Sequence, residues 1–108
     1  MSKLNNNNLF SNIPNDLSDE FFEDIVATDN VRIERIISNG QTSPDEGWYD
    51  QSQNEWVIVI KGRAQLTFEN GDVVNLVAGD HINIPSHTKH KVSYTDTSDI
   101  TVWLAVFY

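Results

Sequence analysis

The chain of 108 residues has no cysteine, which excludes disulfides, thiolate metal sites and cysteine nucleophiles together. Basic residues are few: 7 Lys and Arg stand against 16 Asp and Glu, for a net charge of −9. A field of that sign repels phosphate backbones and anionic lipid heads, so nucleic acid and membrane surfaces are not expected partners. No apolar run comes near the roughly 20 residues that a helix needs to cross a bilayer. The start, Met1-Ser2-Lys3-Leu4 followed by Asn5 to Asn8, lacks the apolar stretch of a signal peptide. A soluble, cytoplasmic protein is the expectation.

What is present suffices for one core. A chain of this length buries roughly two-thirds of its unfolded surface as a single domain, and 39% of the residues are hydrophobic. Residues 1 to about 12 are polar and Asn-rich, and 1–15 read as a flexible arm before a domain over 16–108. From Asp16 to Ala27 the apolar residues Leu17, Phe21, Phe22 and Ile25 recur at helical spacing, predicting a short amphipathic helix over about 16–27. Asp16, Asp19 and Glu20 in its first turn suit the positive end of a helix dipole.

After Asn30 the pattern becomes that of strands. Val31 and Ile33 alternate with Arg32 and Glu34, and Ile36 and Ile37 lead to the turn pair Asn39-Gly40. Trp56 to Ile60 is a continuous apolar run, as in a strand covered on both faces. Ala64, Leu66 and Phe68 alternate with polar residues up to Asn70-Gly71, which predicts a hairpin through a two-residue type I′ turn. The return strand runs from Asp72 to Val77, with the next turn at Ala78-Gly79-Asp80. Ile82 and Ile84 lead into Pro85, Val92 and Tyr94 mark another strand, and Ile100 to Tyr108 closes the chain. Many short strands with frequent turns give an all-β class, a sandwich or barrel over about 31–107.

Two spacings carry a family resemblance. Glu55, six intervening residues and Gly62 resemble the back half of the first cupin motif, which places two histidines one residue apart shortly before its Glu. Gly79, five residues, Pro85 and then His90 resemble the second motif, and one hairpin separates the two. The resemblance implies a single jelly-roll barrel with a divalent metal inside, of the Fe, Mn, Ni, Cu or Zn type, acting on a small molecule by dioxygenation, isomerisation or decarboxylation. It also implies a homodimer.

The sequence departs from the family at the histidine pair, which falls on Trp48 and Asp50 or on Tyr49 and Gln51, depending on the gap before Glu55. The glycine usual in the second motif's Pro-x-Gly segment is His87. With His87 supplying an imidazole from the loop, the expected metal set is Glu55, His90, His87 and Asp50. Tyr49 and Tyr94 are the catalytic candidates; even spacing places Tyr94 on the face of His90. His81, just after a turn, reads as structural or exposed. The alternative to the metal enzyme is a metal-free cupin that binds or senses a small molecule without catalysis, since loss of the histidine pair weakens redox chemistry.

Overall fold

The computed structural model describes residues 4–108. Eight strands form two antiparallel sheets: β1 (Phe21–Ala27), β2 (Arg32–Ser38), β3 (Glu55–Lys61), β4 (Arg63–Phe68), β5 (Val73–Val77), β6 (His81–Ile84), β7 (His90–Thr95) and β8 (Thr101–Phe107). The larger sheet runs β1-β2-β8-β3-β6 and the smaller β5-β4-β7. Between them lies a core of Val57, Val59, Ala64, Leu66, Leu76, Ile84, Trp103, Ala105 and Phe107. This is the all-β jelly roll that the turn spacing and the two motifs imply.

The predicted helix is absent, and residues 21–27 form β1 instead. Leu17, Phe21 and Ile25 are four apart, a spacing that marks one face of a helix but is also even, and so equally marks one face of a strand. Pairing decides between the two. β8 occupies one edge of β2, and β1 supplies donors and acceptors to the other, with Phe21 opposite Ile37 and Phe22 opposite Ile36. A helix would leave that ladder open. The register shifts between Asp24 and Val26, a bulge at Ile25.

Residues 4–20 form no helix or strand. Residues 1–3 of the expected arm lie outside the described residues. Part of the rest is tied to the barrel by Arg35, which is 3% exposed. Its guanidinium donates to the carbonyls of Leu9 (3.1 Å), Ser11 (2.6 Å) and Asn12 (3.3 Å) and pairs with Glu23 at 2.9 Å.

The Asn70-Gly71 hairpin also differs from expectation. Only Gly71 has positive φ there, whereas a type I′ turn requires it at two positions. Gly71 N–H donates to the Phe68 carbonyl and Phe68 N–H to the Asp72 carbonyl, the pattern of a type I turn followed by a glycine bulge. Asn70 keeps φ negative and uses its Oδ1 to accept the Asp72 N–H at 2.9 Å.

One feature of the larger sheet bears on function. In β2, Arg32, Glu34 and Ile36 turn into the barrel, and Ile33 lies on the opposite face. Register aligns Val26, Ile33, Val106 and Trp56 across four adjacent strands. They form an apolar row on the outside of the sheet.

Candidate functional site

A cavity of about 270 Å³ opens between the sheets. Its walls are largely apolar: Phe22 from β1, Ile36 from β2, Val57 from β3, Val92 from β7, and Trp103 and Phe107 from β8. Polar groups converge on it from five places. Tyr49 and Gln51 come from the segment before β3, Glu55 opens β3, His90 opens β7, and Arg32 and Glu34 come from β2, with Glu20 just ahead of β1.

Backbone pairing fixes which of residues 48–51 face inward. Tyr49 and His90 form an antiparallel bridge, with Tyr49 N–H donating to the His90 carbonyl at 2.8 Å and the reverse bond at 3.2 Å. Tyr49 and Gln51 therefore occupy the two histidine positions of the first motif, and Trp48 and Asp50 turn outward. Trp48 packs its ring 4.3 Å from the Lys91 ammonium. Asp50 pairs with His87, Oδ1 to Nδ1, at 2.7 Å on the surface.

The expected metal set is thus divided. Glu55 and His90 face the cavity, and neither Asp50 nor His87 lines it. His87 has φ of +59°, the left-handed conformation that glycine adopts freely and other residues seldom do. The usual glycine of the motif meets a backbone need at this position, and the ring that replaces it reaches Asp50 instead of the cavity.

Tyr94, the second catalytic candidate, does not line the cavity either and is 40% exposed. The register between β4 and β7 shifts so that Gln65 faces Tyr94 but Leu66 faces Val92. This bulge breaks the even-spacing rule after Val92 and turns Tyr94 out. His81 is exposed, and its Nδ1 accepts the Trp56 indole N–H at 3.3 Å.

Hydrogen bonds orient the inner pair. His90 Nδ1 lies 2.8 Å from the Thr88 carbonyl, which can only accept, so Nδ1 carries the hydrogen and Nε2 is turned to Glu55. Nε2 stands 3.5 Å from Glu55 Oε1, and the same oxygen accepts the Gln51 amide N–H at 2.7 Å. The His90 ring lies beside those of Tyr49 and Phe68, with centroids 5.7 and 6.0 Å away and planes tilted by 42° and 36°. Burial pulls the His90 pKa down most strongly among single causes. The hydrogen bond to Glu55, the bond to the Thr88 carbonyl and the charge of Glu55 together outweigh it, so the net shift is upward from 6.5.

Across the cavity, burial raises the pKa of Glu34. Arg32 opposes the shift, and the charges of Asp24 and Glu55 add to it. Arg32 holds its guanidinium 4.3 Å over the Phe107 ring. Glu20 accepts the Ser38 hydroxyl at 2.7 Å, and Ser38 in turn accepts the buried Trp103 indole N–H at 3.1 Å.

These residues do not fit a metal. Among the described residues, no three of His, Asp and Glu gather closely enough to hold one. The two motif positions that would supply imidazoles carry a phenol and an amide. The amide nitrogen points at the carboxylate that would have to ligate, so its geometry serves the carboxylate and not a cation.

Glu20, Arg32, Glu34 and the aromatic wall were not legible as site residues. The one available signal was the alternation over Val31 to Glu34, where charge takes every second position, but spacing alone does not say which face is inside.

The chain matches the family model described as "Cupin domain" over residues 35–107. It belongs to the cupin family. A solved structure from Ralstonia eutropha JMP134, provisionally named a mannose-6-phosphate isomerase, is 41% identical to this cupin. The match covers 96% of this chain and 97% of that one, with a TM-score of 0.91. An RmlC-like cupin of Desulfovibrio desulfuricans superposes with a TM-score of 0.74 at 18% identity, covering 97% of each chain. One from Methanocaldococcus jannaschii superposes at 0.69 and 23%, covering 88% of this chain and 84% of that one. The last two show the fold alone. No curated protein matches the chain.

Proposed function

We propose that this cupin binds a small molecule with an apolar body and works on it by proton transfer, without a metal. The carrying observation is the set of four motif positions, occupied by Tyr49, Gln51, Glu55 and His90, in which the amide and imidazole bond to the carboxylate. An imidazole whose Nε2 is free to exchange a proton, beside an oriented carboxylate, is a general acid–base pair. The pair stands at one side of a cavity walled by Phe22, Val92, Trp103 and Phe107, an arrangement that positions an apolar body and leaves one reacting group at Glu55 and His90. Within the reactions that the family resemblance implies, isomerisation is the one that proton transfer alone performs. The name of the 41% identical Ralstonia protein supports that class. Its phosphorylated substrate has less support in this chain, because Glu20, Glu34 and Glu55 all face the cavity and repel a phosphate ester.

The test is elemental analysis of protein purified without chelator or metal-affinity resin. We expect well below one metal ion per chain and no rise in melting temperature on adding divalent ions. Near-stoichiometric metal that is lost in His90→Ala would overturn the metal-free reading.

The homodimer is a separate proposal. The row of Val26, Ile33, Val106 and Trp56 offers it an apolar strip, in a chain whose net charge is otherwise strongly negative. Sedimentation at micromolar concentration should give twice the chain mass, and a monomer there would count against it.

A further inference from the structure

The larger sheet inverts the usual economy of a half-buried strand. β2 sends Arg32 and Glu34 into the barrel and leaves Ile33 on the outer face, although a buried ionised carboxylate is disfavoured and a buried isoleucine is not. Such a local contradiction between pattern and burial marks residues that serve something other than folding.

Glu34 is the clearest case. Glu20 has the Ser38 hydroxyl and Glu55 has the Gln51 amide. Glu34 has no hydrogen-bond partner among the described residues, and its nearest influences are burial and the charges of Arg32, Asp24 and Glu55. Arg32 does not close an ion pair with it. The guanidinium lies over Phe107 and approaches Asp24 at 3.9 Å. The cavity therefore presents three carboxylates against one guanidinium and one imidazole, with an unpartnered carboxylate among them. Phe107 already shows that this wall holds a cation against a ring face.

Resting on the small-molecule reading above, we propose that the cavity recognises an organic cation, an ammonium group on an aromatic or apolar body. Glu34 receives the ammonium, and Ile36, Trp103 and Phe107 take the body. A charge-assisted hydrogen bond between ammonium and carboxylate satisfies the one cavity carboxylate that no described residue partners. The same charges exclude carboxylate and phosphate ligands.

The experiment is titration calorimetry with three probes of similar shape: 2-phenylethylamine, 2-phenylethanol and 3-phenylpropionate. We expect the amine to bind at least about tenfold more tightly than the alcohol, and the acid to bind weakest. Glu34→Gln should erase the margin between amine and alcohol and leave the alcohol's affinity unchanged. Glu34→Asp, which keeps the charge, should retain the order. Equal affinity for amine and alcohol, or tighter binding of the acid, would overturn the cation inference and leave the small-molecule reading standing. Failure of all three probes to bind folded protein would overturn both.

Discussion

Gly62→Ala is expected to destabilise the protein by about 4 kcal/mol, a large share of the roughly 5–15 kcal/mol that holds a domain of this size. Gly62 links β3 to β4 at the place where the chain passes from the larger sheet to the smaller. Its φ is +90°, where a side chain is strained whatever the space around it. The space is also taken. A Cβ there would stand 2.5 Å from Thr101 Oγ1, 2.8 Å from the Ile100 carbonyl oxygen and 2.8 Å from Thr101 Cα. Two of those atoms are backbone, so no rotamer change relieves the contact. Thr101 is fully buried at the start of β8, where its hydroxyl bonds to the Arg63 carbonyl at 3.2 Å. Moving it would disturb the central strand of the larger sheet. Gly71→Ala is the control: φ is +97°, but nothing lies within 4 Å of the new Cβ, so only backbone strain of about 1 kcal/mol is added. Urea unfolding of both variants checks the argument, and equal losses would show that crowding at Thr101 is not the cause.

The glycine also shows what the sequence made legible. Gly62 and Gly79 stand at motif positions because the backbone there is left-handed, and such needs are written in residue type. The strands after Asn30 were legible for a similar reason: alternation and turn residues record local geometry. What spacing did not record was choice of partner. Leu17, Phe21 and Ile25 satisfy a helix and a strand alike, and the open edge of β2, set by residues far along the chain, selected the strand. The same limit applied to the site. Glu55 and His90 followed from motif spacing and do meet at 3.5 Å. His87 and Asp50 fitted the ligand arithmetic, yet a bridge between Tyr49 and His90 turned Asp50 outward, and a one-residue change of register exchanges every side chain between faces. A bulge in β7 did the same to Tyr94. Glu20, just ahead of β1, and Glu34, opposite Asp24 in the middle of the β1–β2 pair, enter one cavity only after the barrel closes.

Glu55→Gln is expected to reverse the direction in which His90 responds to its surroundings. In the wild-type protein the imidazole titrates above its ordinary 6.5, and burial alone would put it below. The hydrogen bond to Glu55 outranks the bond to the Thr88 carbonyl, and burial outranks each of them. With the carboxylate gone, the Thr88 bond remains as the one upward influence, and it is smaller than the burial that opposes it. The His90 pKa should therefore fall below 6.5, which the chemical shift of its ring protons across a pH titration measures directly. Stability follows by linkage. In the wild type the folded state holds the proton more tightly than the unfolded chain. The stabilisation this provides is complete below 6.5 and is lost as pH rises through the higher folded value. In Glu55→Gln the unfolded chain holds the proton more tightly, so stability should increase with pH from the lowered folded value up to about 6.5, the window just below that of the wild type. Glu34, whose raised pKa belongs to a carboxyl group with an ordinary value of 4.5, also weakens the fold as it ionises. Glu55 contributes to that raised pKa, so urea midpoints with and without Glu55→Gln are compared in a Glu34→Gln background, between about pH 5 and about pH 8, which isolates His90. Opposite slopes would tie the imidazole's charge to Glu55, the condition for these two residues to pass a proton between them. Parallel slopes would mean that Glu55 does not govern the proton on His90, and the acid–base reading of the cavity would fall with it.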